Sequence, residues 1–410
     1  MRFAIALALA AGVTASAQSA APQWPQFRGP SGQGVSDTTG LPLEWSESRN
    51  IAWKVPVPGR GWSSPVVGGG RVWLTTAVQN KGDASLRLLA FDAATGTETL
   101  NVEVFRVWRE EFSTNAKNSN ATPTPILDGD RVYVHFGASG TAAVTTEGRV
   151  VWKTRLPHDT QHGQGGSPVL AGGLLIVNCD GFEDPYVIAL DAATGKTRWR
   201  QARRAPTSQA YSTPLAIHAA GRDQLISIGA SFASSFDPVT GREFWRVGYR
   251  DGFSNVPRPV FAHGLVFIAT GFQQPTLIAV RPDGSGDVTK THVAWTLARG
   301  APLTPSPIVV GDESYVISDH GILQCLDART GKTHWVQRLN GAFAASPVFV
   351  DGRLYFLSED GVTTAIAPGS EFRPLARSAL DGETLASIAI ADQSFFIRSS
   401  THLYRIAVRK

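Results

Sequence analysis

Apolar residues fill Val187 to Leu190, the chain pauses at Asp191-Ala192-Ala193-Thr194-Gly195, and polar residues then run from Lys196 up to Trp199, two short runs that suit extended strands. A period of two places successive side chains of a strand on opposite faces, and the first half reads as a strand with one buried face, the second as its partner. The connector suits a tight turn, because Asp can bond its own turn backbone and Gly takes positive φ without steric cost. One hairpin cannot bury both faces and is marginal alone. This one recurs. Ser235 to Trp245 and Cys325 to Trp335 are near copies, each with a small residue ten positions before the Trp and Gly four before it, as at Ala189 and Trp199. Ala142 to Trp152 keeps that spacing around Gly148 without the Asp, and Ala90 to Leu100 keeps the turn with Leu in the Trp place.

A second landmark, a Pro followed by an apolar pair and a Gly or polar turn, falls at Pro65, Pro125, Pro168, Pro214, Pro259, Pro307 and Pro347. One more step reaches Ser387-Ile388-Ala389-Ile390, the same strand with Ile in place of Pro. A period of about 40–48 residues with four short strands and Gly-rich turns per unit is that of propeller blades. Two β-sandwiches side by side would not produce one uninterrupted period. The eighth unit, from Leu385, has room for only three strands, and the isolated Trp-bearing strand Asn50 to Val55 supplies the fourth. The expectation is an all-β chain: an eight-bladed β-propeller of four-stranded antiparallel blades over residues 50–410. Strands from both termini close the ring and remove an exposed edge.

Composition narrows the class. The chain has 410 residues, 42% hydrophobic and 18% charged, enough apolar content for a large core. Its net charge of +4 is scattered, which argues against a nucleic-acid partner. Met1-Arg2-Phe3, the apolar run Ala4 to Ala11 and Ala15-Ser16-Ala17 form a cleavable export signal over residues 1–17, too short to span a bilayer. The mature chain then starts near Gln18, with no Cys there for a lipid anchor, and is expected to be periplasmic or extracellular, monomeric and without a transmembrane segment. Residues 18–49 should be irregular, with Trp24 and Phe27 docking on the body. Cys179 and Cys325 fall in distant units and should be buried, unpaired thiols.

The motif Ala-x-Asp-x-x-Thr-Gly-x-x-x-Trp resembles the tryptophan-docking motif of the pyrroloquinoline-quinone (PQQ) type eight-bladed propellers. That family includes the quinoprotein alcohol dehydrogenases and BamB, the propeller of the bacterial outer-membrane protein assembly machinery. The resemblance implies that Trp152, Trp199, Trp245 and Trp335 wedge between blades, against the small residues Ala142, Ala189, Ser235 and Cys325. The stretch Trp24-Pro25-Gln26-Phe27-Arg28-Gly29-Pro30 is similar to exported PQQ-like repeat proteins. The dehydrogenases of the family pair adjacent cysteines under the cofactor and hold calcium beside it; this chain has no Cys-Cys, and no motif locates a calcium set.

The turns joining strands 1–2 and 3–4 read as minimal, so function is expected on the opposite face, centred on blades 1 to 3, where long loops gather. One loop, Arg106 to Asn120, carries Trp108, Arg109, Glu110, Glu111, Asn115 and Asn118. Another carries His158, Asp159 and His162, either metal ligands or a hydrogen-bonded polar loop. Asp180, Glu183 and Asp184 are calcium ligands or ordinary turn residues, and their spacing is not that of a calcium-binding loop. Glu110 and Glu111 point apart on an extended chain and suit no acid–base pair. Trp62 and Tyr211, each three residues before a blade's Pro, could stack on a planar ligand or a peptide side chain. The leading expectation is an exported, non-catalytic scaffold that binds an envelope protein or peptide and requires no cofactor. The alternatives are a quinoprotein-like oxidoreductase using PQQ with calcium, and an envelope glycan-binding propeller acting through Trp62 and Tyr211.

Overall fold

The computed structural model describes residues 23–108, 110, 115–205, 208–250 and 252–408. Blade 1 consists of Val66–Gly68, Arg71–Gln79, Asp83–Asp92 and Glu98–Trp108, paired antiparallel from the axis outward. Blades 2 to 7 repeat this arrangement at residues 126–154, 169–202, 215–248, 260–297, 308–338 and 348–379. Blade 8 takes three strands from residues 389–406 and its outermost from Ile51–Pro56, which pairs antiparallel with His402–Ile406. The fold is therefore the all-β, eight-bladed ring read from the repeats, closed by strands from both ends of the chain.

The repeated hairpin explains how neighbouring blades hold together. Trp199 lies opposite Ala189, Trp245 opposite Ser235 and Trp335 opposite Cys325. A small residue is needed there because the indole crosses its strand to reach the next blade. There the indole N–H donates to a turn carbonyl: Trp53 to Ala93, Trp152 to Ala192, Trp199 to Pro238, Trp245 to Pro282, Trp295 to Ala328 and Trp335 to Gly369, all at 2.9–3.1 Å. For Trp53, Trp152, Trp199 and Trp295 the ring lies flat on the turn glycine. A Cβ at Gly195 would stand 2.5 Å from Trp152, and one at Gly331 2.6 Å from Trp295. Thr95, Thr194 and Thr330 bond the turn aspartates Asp92, Asp191 and Asp327, holding those carboxyls below their ordinary range.

Four details differ from the sequence reading. Trp152 lies opposite Ala143, while Ala142 faces Lys153, because the turn at Gly148 is one residue shorter than its relatives. Trp295 docks like the others, but an insertion between Val280 and Val293 hides its spacing. That insertion contributes Gly286–Asp287 to the outer edge of blade 4, so this 3–4 connection is not minimal. Blade 1's outer strand runs on to Trp108, which ends a strand instead of sitting in a loop, and is 61% exposed. Blade 7 has no docking Trp; Trp45, from the segment before the ring, fills the gap between Tyr355 of blade 7 and Phe395 of blade 8.

The N-terminal segment enters the channel and is irregular except at Val35–Ser36, a strand that pairs parallel with Val348–Val350 of blade 7 and corrects the expectation of a wholly irregular stretch. Trp24 bridges to Val67, the carbonyl of Pro25 accepts from the Leu127 N–H, Gln33 Oε1 from Phe261, and the carbonyl of Gly34 from Phe349. It is thus bonded to blades 1, 2, 5 and 7. Cys179 and Cys325 are buried and unpaired. Among the described residues no helix is long and apolar enough to cross a membrane.

Candidate functional site

The residue just before each blade's landmark Pro forms a belt around the axis. The backbone N–H of Ser64 donates to Thr124 Oγ1, that of Thr124 to Ser167, and that of Ser167 to Thr213. The chain of bonds resumes at Arg258, which donates to Ser306, then Ser306 to Ser346, Ser346 to Ser387, and Ser387 back to Ser64, at 2.9–3.0 Å throughout. Seven positions carry hydroxyls. Blade 5 carries Arg258 instead, and the circle is open between Thr213 and Arg258. The Arg258 side chain leaves the belt to donate to the carbonyls of Pro214 and Phe27, at 3.1 and 2.6 Å, and so anchors the N-terminal segment.

Above the belt lies a cavity of about 350 Å³ that opens to the long-loop face and has Phe27 in its lining. On the side of blades 1 to 3 its wall is polar: Asn115, Lys117, Asn118, His162 and Tyr211, with Trp62 among them. On the side of blades 5 to 8 it is apolar: Val256, Phe272, Leu303, Ala344 and Leu385. Most polar atoms of the wall are already engaged. Asn118 Nδ2 donates to the His162 carbonyl, and its oxygen accepts from Ser119 N and the Thr122 hydroxyl. The Tyr211 hydroxyl donates to Gln209, and burial pushes its pKa up to about 12, so it stays protonated. The His162 ring lies against Tyr211, with centroids 6.0 Å apart. Lys117 crosses the mouth to Glu359 of blade 7, at 2.6 Å.

Five residues expected at the site, Trp62, Asn115, Asn118, His162 and Tyr211, share this wall. Five others do not line it. His158 Nδ1 bonds the Leu156 carbonyl and its Nε2 the Gln164 side chain, which turns the ring away from His162. Asp159 is exposed. Asp180 is buried in a bidentate pair with Arg203, both bonds 2.9 Å, while Glu183 and Asp184 are exposed on the adjoining turn. Asp180 therefore holds Arg203 within blade 3, and it is Arg203 that reaches blade 4, donating to the Ile228 carbonyl at 3.2 Å. Among the described residues no three His, Cys, Asp or Glu side chains converge as a metal site requires. Arg109 and Glu111 lie outside the described residues. The lining also extends around the whole ring instead of stopping at blade 3. Lys117, Phe272, Asp319, Arg258 and the hydroxyl belt were not singled out, and Phe27 was expected only to dock on the body, although a hydroxyl before seven of eight landmark positions was a readable signal.

The lining does not fit a quinone held beside a divalent cation, which needs convergent carboxylate and amide oxygens. Asp319 is the one described carboxylate in the wall, and its Oδ2 accepts from the N–H groups of Leu303 and Thr304, at 2.8 and 3.1 Å. The amide oxygen of Asn115 accepts from Lys117 N, and that of Asn118 is taken as above.

Comparison with solved structures gives the same fold at low sequence identity. BamB from Moraxella catarrhalis is 14% identical, covering 87% of this chain and 99% of its own, with a TM-score of 0.60. The quinohemoprotein alcohol dehydrogenase of Comamonas testosteroni is 11% identical, covering 95% and 81%, with a TM-score of 0.69. A europium-containing methanol dehydrogenase is 11% identical, covering 93% and 90%, with a TM-score of 0.57. These likenesses establish the fold alone. No curated protein sequence matches the chain. The family model described as outer membrane protein assembly factor BamB matches residues 34–177, 141–231 and 286–371, so more than half of the chain is covered. Its blades, its docking tryptophans and that match together make this chain a member of the BamB family of PQQ-like propellers.

Proposed function

We propose that the protein is an exported, non-catalytic binding propeller that receives a segment of a partner protein or peptide in the cavity of its long-loop face. The observation that carries this reading is the cavity itself: a preformed pit, apolar on one side, whose polar atoms are mostly satisfied within the protein. Such a pit suits a protruding side chain, because little reorganisation is needed on binding. Exposed Phe182 and Phe272 lie on the same face, and aromatic residues of this kind carry most binding energy at protein interfaces. Family membership supports a partner in the envelope, and Arg2 followed by the Ala-rich apolar run supports export across the inner membrane.

Site-specific photo-crosslinking tests the reading. A benzoylphenylalanine placed at Phe272, beside the cavity, should yield one discrete protein adduct in cells. The same probe at Val239, on the opposite face, should yield none. Equal labelling from both positions, or none from Phe272, would overturn the assignment of the face.

A further inference from the structure

Three arginines are wholly buried with no carboxylate beside them. Arg28 and Arg258 lie beneath the cavity floor, each 1% exposed. Arg28 donates to the Gln33 carbonyl, and its Nε and Nη1 have no partner. Arg398 lies under the Gly61-Trp62-Ser63 segment and donates to Ser63 Oγ and the Thr75 carbonyl, both at 2.8 Å. Burial pushes all three guanidinium pKa values down to about 9, and repulsion from Arg258 adds to this at Arg28. All three are therefore charged at neutral pH. Charges in a low-dielectric interior act over longer distances than exposed ones, and a cleft focuses their field.

Opposing charge is scarce. The wall holds Asp319, and Glu359 outside it is already spent on Lys117. The belt adds proton donors: the oxygens of Ser64, Thr124, Ser167 and Ser387 each accept a neighbour's N–H, which leaves the hydroxyl proton to turn toward the cavity. The cavity is thus positive at its base, rich in donors at its waist and apolar along blades 5 to 8.

We infer that this cavity takes the carboxylate end of a small apolar acid, supplied by the free C-terminus of a peptide ending in an apolar residue or by an organic acid. The peptide form rests on the binding function proposed above. The incoming carboxylate competes with Glu359 for the Lys117 ammonium, while the apolar body lies against Phe272, Leu303 and Leu385.

Calorimetric titration of the full chain with N-acetyl-Ala-Leu, its C-terminal amide and 4-methylpentanoate tests this. The acid should bind at least about tenfold more tightly than the amide, the scale of one charge-assisted contact. Lys117→Gln should weaken acid binding about threefold to fivefold, as for an exposed ion pair, and Glu359→Gln should strengthen it. Both variants break the same ion pair, so a merely structural strap would shift affinity in one direction for both. Amide binding as tight as acid, shifts of the same sign, or no binding at about 10 mM would overturn the inference. Equal acid and amide binding would leave the peptide-binding reading standing. Binding of 4-methylpentanoate without the peptide would do the reverse, sustaining the inference and removing the peptide as the ligand's source.

Discussion

The outer rim and the axis of this ring are held by different means. At the rim, six tryptophans repeat one contact, an indole N–H on the next blade's turn carbonyl, and in four of them (Trp53, Trp152, Trp199 and Trp295) a glycine lies under the ring. At the axis, a belt of side-chain hydroxyls repeats in the same way until blade 5, where Arg258 interrupts it to bind the N-terminal segment. The rim tolerates substitutes that restore packing, such as Trp45 at the junction of blades 7 and 8. The axis instead departs from its repeat with a buried charge. A repeat broken for packing keeps its chemistry; a repeat broken with a cation changes the potential of the channel it encloses.

The comparison can be pressed experimentally, starting with the rim. Trp245 is completely buried, and Trp245→Ala should cost about 3–5 kcal/mol in denaturant unfolding, as for other buried aromatics. Trp45→Ala should cost nearly as much, about 3 kcal/mol, if Trp45 stands in for a docking Trp; a loss below about 1 kcal/mol would make it mere filler. At the axis, Arg258→Ser completes the hydroxyl belt but strands the carbonyls of Phe27 and Pro214. A loss of about 1–3 kcal/mol is expected, with faster proteolysis within residues 24–36. Unchanged proteolysis would show that the segment does not depend on Arg258.

A titration probes the inner part of blade 2. His135 is wholly buried, its Nδ1 paired with Thr141 Oγ1 at 2.8 Å, and burial, reinforced by the nearby His158, lowers its pKa to about 3. The unfolded chain protonates this ring near 6.5, so the unfolded state binds more protons below that pH. Its contribution is present above 6.5 and is lost as pH falls toward 3, by at most about 1.4 kcal/mol per unit. Stability measured at pH 7 and pH 5 should differ by more in the wild type than in His135→Gln; equal differences would assign the acid sensitivity elsewhere. The smallest effect belongs to Lys117, whose exposed ion pair with Glu359 should contribute less than about 1 kcal/mol to stability.

The frame was legible because Pro, Gly and Trp each meet a separate local demand, and those demands recur at fixed intervals. Where a turn changed length, spacing misled. Trp295 was hidden behind an insertion, and Ala142 was assigned the place that Ala143 holds. The site was less legible because its parts come from distant positions. Nothing local tells that Arg28 and Arg258 share one buried space, or that Lys117 reaches Glu359. His158 and His162 are the opposite case, in which proximity in sequence brings no convergence. Their spacing suggests convergence only on a helix, and in this loop the His158 ring is bonded away from its neighbour.

The closure of blade 8 has a consequence for when this molecule can exist. Ile51–Pro56 is synthesised before the seven complete blades, yet its partner His402–Ile406 follows them all. Until then the early strand waits with an unpaired edge, and such edges invite pairing with other chains. Closure of the ring is therefore tied to synthesis of blade 8. A chain stopped before His402 would lose more than one strand: blade 8 would have no outer pair, the ring would have no seam, and cells would be expected to clear it as misfolded.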